Sequence, residues 1–132
     1  MSLEFVRRWY NKIPPAERHL PILYYKGQLY SPNDILREVS NGTRLGAELQ
    51  AKLEKLHSAS SFGFDDIKGV DYVAKKRVEE VLKNLPPNFT IAVATNGQKV
   101  YLTKEELLKS PLIQKVIEEE KRKVIKLLGG AV

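Results

Sequence analysis

The stretch Ile22-Leu23-Tyr24-Tyr25-Lys26-Gly27-Gln28-Leu29-Tyr30-Ser31-Pro32-Asn33-Asp34-Ile35-Leu36 decides the fold class. Aromatic and β-branched residues flank Lys26-Gly27, whose glycine can take a positive φ, so residues 21–30 read as a β-hairpin. Ser31 then starts a helix. Pro32 stands at its first position and Asp34 three residues after the cap, an acidic variant of the capping box. Ile35, Leu36 and Val39 form its apolar face, and Asn41-Gly42 stops it. A longer helix follows from Arg44 to Leu56 on the stripe Leu45, Leu49, Leu53 and Leu56.

The same order returns further on. Residues 89–94 (Phe-Thr-Ile-Ala-Val-Ala) have strand composition, and Asn96-Gly97 is the strongest short hairpin signal in the chain. The return strand runs from Gln98 to Leu102. Thr103 caps a short helix with Glu106 at the reciprocal position, and Ser110-Pro111 starts a long helix that reaches Leu128. Each half thus reads hairpin, short capped helix, longer helix, with 21–57 and 89–128 as pseudo-repeat units. A ββαα duplication gives this pattern, and so do the shared local rules for turns and caps. The expected fold is α+β: two β-hairpins with five or six helices in a single domain, 1–132. Isolated hairpins are marginal in water, so joining both in one antiparallel sheet is the economical arrangement.

Between the halves, residues 57–66 read as a loop. A helix then runs to Leu85 on Val70, Ala74, Val78, Val81 and Leu85, closed by Pro86-Pro87. At the start of the chain, residues 3–12 read as an amphipathic helix carrying Phe5, Val6, Trp9 and Tyr10 on one side, with Trp9 in the core. Pro14-Pro15 ends it. Alternation places Tyr24 and Tyr25 on opposite faces of their strand.

The 132 residues are 42% hydrophobic and 29% charged, which excludes intrinsic disorder. No apolar run approaches the ~18 residues of a membrane helix, so no membrane partner is expected. The first residues include an acid and two arginines where a signal peptide has an apolar core, and a cytoplasmic location is expected. Cysteine is absent, so disulfides, zinc–thiolate sites and cysteine nucleophiles are excluded. The two histidines, His19 and His57, have no metal-ligand spacing, and His57 suits the carboxyl end of its helix as a cation. No nucleophile elbow and no phosphate-cradling glycine loop is present. The chain is expected to be non-catalytic and to need no metal or cofactor.

The net charge is +6, divided as +3, 0 and +3 over residues 1–44, 45–88 and 89–132. Such a balance suits DNA or RNA. It is also the Lys/Glu-rich, cysteine-free composition of thermostable proteins. Arg7, Arg8, Lys26, Lys75, Lys76, Arg77, Lys99, Arg122 and Lys123 are the candidate phosphate contacts. Lys26 and Lys99 qualify because each flanks a hairpin turn, and Arg7-Arg8 because they adjoin Trp9-Tyr10.

Ile67-Lys68-Gly69-Val70, followed by a basic helix, resembles the hairpin of helix-hairpin-helix DNA-binding motifs over about a dozen residues. Asp71 stands where that motif has its second glycine. The ending Leu127-Leu128-Gly129-Gly130-Ala131-Val132 resembles the tail of ubiquitin-like precursors, although it closes a long helix.

The alternative function is a protein-interaction or assembly subunit. Ile113, Ile117, Val124 and Leu128 form a stripe on the last helix that could join copies in a homo-oligomer, with Glu120 interrupting it. Glu118 with Arg122 and Glu119 with Lys123 are spaced for intrahelical ion pairs.

Overall fold

Pro14 and Pro15 force the chain out of its first helix, and every later helix starts or stops on a comparable local signal. The computed structural model describes residues 2–58 and 62–129. Helix α1 (Ser2–Lys12) leads through a 3-10 turn (Pro15–Glu17) to strands β1 (Leu23–Tyr25) and β2 (Gln28–Tyr30). Helices α2 (Pro32–Ser40), α3 (Arg44–Ser58) and α4 (Phe64–Lys83) follow. Strands β3 (Thr90–Thr95) and β4 (Gln98–Thr103) then precede α5 (Lys104–Lys109) and α6 (Leu112–Leu127). Among the described residues, six α-helices and two antiparallel hairpins make an α+β fold. None of the described helices is long and apolar enough to cross a membrane.

Both hairpins close through two residues at positive φ, Lys26 (48°) with Gly27 (81°) and Asn96 (49°) with Gly97 (76°). That is the turn whose twist matches paired strands. Both short helices carry the full capping box, Ser31 with Asp34 and Thr103 with Glu106. The expected common sheet does not form: β1 pairs only with β2, and β3 only with β4. The reason lies in the packing. β1 lies against α4, whereas β3 and β4 lie against α5, so the hairpins occupy different parts of the molecule. The order of elements repeats while the strand lengths and neighbours differ, and a duplication is not established by it.

Two apolar clusters hold the fold. The first joins Val6, Trp9 and Ile13 with Ile22, Ile35, Leu49, Leu53 and Leu56. The second joins Ala74, Val78 and Leu82 with Val93, Leu107 and Ile117. Helix α4 serves both, through Val70 and Val73 in the first and Ala74, Val78 and Leu82 in the second. Helix α6 does the same through Val124 and then Ile117. Val81, expected on the buried stripe of α4, faces solvent instead, and Val73 and Leu82 take the core positions.

Two further expectations change. The loop at 57–66 shrinks, because α3 extends to Ser58 and α4 begins at Phe64; residues 59–61 lie outside the described chain. Ile67–Val70 is continuous helix, not a hairpin, so the likeness to helix-hairpin-helix motifs fails there. Gly69 faces Tyr24, where an added Cβ would stand 3.8 Å from the tyrosine Cβ. The tail after Gly129, residues 130–132, also falls outside the described residues.

Candidate functional site

Five of the nine candidate phosphate contacts are occupied by acidic partners. Lys26 Nζ lies 2.9 Å from Glu48 Oε1, and the hydroxyl of Tyr25 donates to the same oxygen at 2.7 Å. Those hydrogen bonds, from Lys26 first and then Tyr25, hold the Glu48 carboxyl below its usual range, and in return Glu48 raises both partners. Lys75 pairs with Asp71 at 3.1 Å. Lys76 reaches Glu79 at 3.7 Å and lies over the Tyr72 ring. Lys123 pairs with Glu17 at 3.0 Å and Glu120 at 3.8 Å.

Arg77 is a correction. Its side chain is 1% exposed and reaches no phosphate. Nη1 donates to the carbonyl of Pro21 at 2.9 Å, Nη2 donates to Glu17, and Nε stands 3.6 Å from Glu120. The guanidinium is a buried strut between α4, the 3-10 turn and α6. Sequence reasoning placed it on the surface because it sits in the run Lys75-Lys76-Arg77, yet successive helical residues point ~100° apart.

The α6 stripe is a second correction. Val124 and Leu128 are buried in the first cluster, Ile117 in the second, and Ile113 packs partly against the second. Ile117, Val124 and Leu128 thus lie on the inner face of α6, packed within the chain, with Ile113 half-buried beside them. The anticipated pairs Glu118–Arg122 and Glu119–Lys123 are absent among the described residues. Lys121 pairs with Glu118 at 3.3 Å instead, while Glu120 takes Lys123.

Arg7, Arg8, Lys99 and Arg122 remain, all exposed and without an ion pair among the described residues. Arg8 is the one that lines a groove. Three helices end there: α1 brings Phe5, Arg8, Trp9 and Lys12, α3 brings His57, and α6 brings Lys126 and Leu127. The groove has a volume of about 590 Å³. No carboxylate lines it. Trp9 forms a buried wall and is fixed by its indole N–H, which donates to the carbonyl of Leu127 at 2.7 Å. Phe5 and His57 meet edge to face, with ring centroids 5.3 Å apart and planes at 76°. Gly129 (φ +93°) leaves room for the imidazole; an added Cβ would overlap Nδ1 and stand 3.0 Å from Cγ of His57.

Arg8 and Lys12 are spaced i, i+4 on α1, and Arg122 and Lys126 are spaced i, i+4 on α6. Like charges at that spacing cost a helix about 0.2–0.5 kcal/mol per pair. Lys12, His57 and Lys126 each stand in the last turn of a helix, where the macrodipole favours a cation. The same geometry points carbonyls, not amide N–H groups, at the groove. An anion placed here would meet side chains and no cradle of helix amides. A second depression shares Phe5, Arg8 and His57 with the groove and adds Glu4 and Glu54, so the acids lie on that side and Lys12 and Lys126 on the other. Lys12, Lys126 and His57 were not among the sequence candidates, because they come from three separate segments; their place in the last turns of amphipathic helices was the only available signal.

Among the described residues no group of three or more His, Cys, Asp or Glu side chains could hold a metal ion. Comparisons with protein-family models, curated proteins and solved structures find no match to this chain.

Proposed function

We propose that this chain is a small non-catalytic module that binds nucleic acid through the groove where α1, α3 and α6 end. The observation that carries the reading is the convergence of Arg8, Lys12, His57 and Lys126 on one groove without a carboxylate in its lining. Most other basic clusters are spent on internal ion pairs. Phosphate contact from lysine and arginine supplies most of the affinity of such modules, and aromatic rings beside them suit bases. A cytoplasmic setting goes with this reading.

The test is fluorescence anisotropy with labelled DNA and RNA, titrated at low and physiological salt. Arg8→Ala with Lys126→Ala should weaken binding to every sequence. It should also lower the salt slope by about 1.4–1.8, the loss of two phosphate contacts. Lys75→Ala with Lys76→Ala should change neither. Binding confined to low salt, or a double variant with unaltered slope, would remove the groove from consideration.

A further inference from the structure

We infer that the groove takes an unpaired strand and not a duplex. This rests on the nucleic-acid reading above and narrows it. Proteins that read a duplex insert a helix or a β-ribbon into a major groove ~12 Å wide. Here three cations unpaired among the described residues, Arg8, Lys12 and Lys126, line one depression between helix ends. The β3–β4 ribbon carries one unpaired cation near its tip, Lys99, and packs with the second apolar cluster. In this arrangement the ligand has to enter the protein. Only a strand whose bases are unstacked can do that.

The contents of the groove fit such a strand. Its volume of about 590 Å³, in a depression open to solvent, is large enough to admit a nucleobase. The exposed imidazole of His57, set edge-on to Phe5, presents an aromatic surface at one side. Arg8, Lys12 and Lys126 supply charge along the rest. Glu4 and Glu54 border the adjoining depression, which Phe5, Arg8 and His57 also line, so phosphate is favoured toward Lys12 and Lys126. The backbone of the strand therefore lies over Lys12 and Lys126, with Arg8 at the boundary toward the acids, and a base reaches back to the ring of His57. Helix carboxyl ends offer no amide N–H cradle, so one isolated terminal phosphate would gain little, and the strand must engage several side chains at once.

The experiment compares a labelled single strand of about ten nucleotides with the same sequence as a duplex, at physiological salt, for wild type, His57→Ala and His57→Phe. Thermal melts establish that each variant is folded. The single strand should bind about tenfold tighter than the duplex. His57→Ala should lose roughly five- to tenfold on the single strand only, and His57→Phe should recover it, since a ring is what stacking requires. Equal affinity for both forms, or a His57→Ala variant that binds the single strand like wild type, would overturn the inference and leave the nucleic-acid reading standing. No binding to either form would overturn that reading and the inference together.

Discussion

Glu120 Oε1 stands 3.6 Å from Nε of Arg77, joining the one acid that interrupts the apolar stripe of α6 to the one base buried in α4. Each residue is out of place in its own helix. Together with Glu17 they form a charge cluster in which Arg77 is buried and the two carboxylates are partly buried, tying α4 to α6 and the 3-10 turn. Removing the buried guanidinium leaves two partly buried carboxylates with only Lys123 as a partner. Arg77→Ala is expected to destabilise the fold by about 2–3 kcal/mol, below the range for a fully buried pair because Glu17 and Glu120 keep some solvent and Lys123. Arg77→Met combined with Glu17→Gln and Glu120→Gln, which removes charge from both sides, should recover much of that loss. Urea denaturation measures both. A change below about 1 kcal/mol for Arg77→Ala would show that the cluster contributes nothing.

Stability should fall on the acid side. Burial raises the Asp66 carboxyl, but hydrogen bonds from Lys52 and the Gly63 amide outweigh it, and the net shift is downward. Glu48 and Glu106 are also lowered, Glu106 chiefly by the Thr103 amide. A carboxylate depressed in the fold contributes fully above its unfolded value, and that contribution disappears as pH drops through the folded value. The loss is therefore expected below about pH 4. Lys26 is raised, so its contribution persists through neutrality and is lost only at alkaline pH. In Lys52→Met the Asp66 midpoint, followed by NMR titration, should move upward; an unmoved midpoint would contradict the pairing.

Gly46 tests the contact between α2 and α3. A Cβ there would overlap the carbonyl of Glu38, 2.6 Å from its carbon and 2.9 Å from the amide nitrogen of Val39. These are backbone atoms and cannot swing away. Gly46→Ala should cost about 2–3 kcal/mol despite the better helix propensity of alanine. A stabilised Gly46→Ala protein would mean that the two helices separate easily.

Ile117→Asp with Val124→Asp separates core from interface. Both side chains are buried within the chain, so an unpaired carboxylate at each site should unfold it, read as loss of far-ultraviolet circular dichroism. A folded monomer from an oligomeric parent would instead restore α6 as a contact between copies.

What the sequence disclosed was local. The turns at Lys26-Gly27 and Asn96-Gly97 and the caps at Ser31 and Thr103 are each settled by a few adjacent residues, and all four appear as read. The core position of Trp9 followed from helical spacing. What failed depended on distant segments. Separate sheets reflect which helix each hairpin meets. The burial of Arg77 depends on Glu17, sixty residues away, and on Glu120. The groove draws on α1, α3 and α6, and nothing within any one of them shows that their ends meet. Of the candidate site, only Arg8 was identified beforehand.

Helices α4 and α6 pass through both apolar clusters, and this bears on how the molecule comes apart. A chain severed before or after α4 would leave one cluster without part of its wall, so neither apparent repeat unit should fold when expressed alone. Amide hydrogens in the middle of α4 and α6 should then exchange with deuterium only on complete opening, whereas those along the outer edges of the two hairpins exchange through local fluctuations. The two shared helices are the spine through which loss of either half is felt by the other.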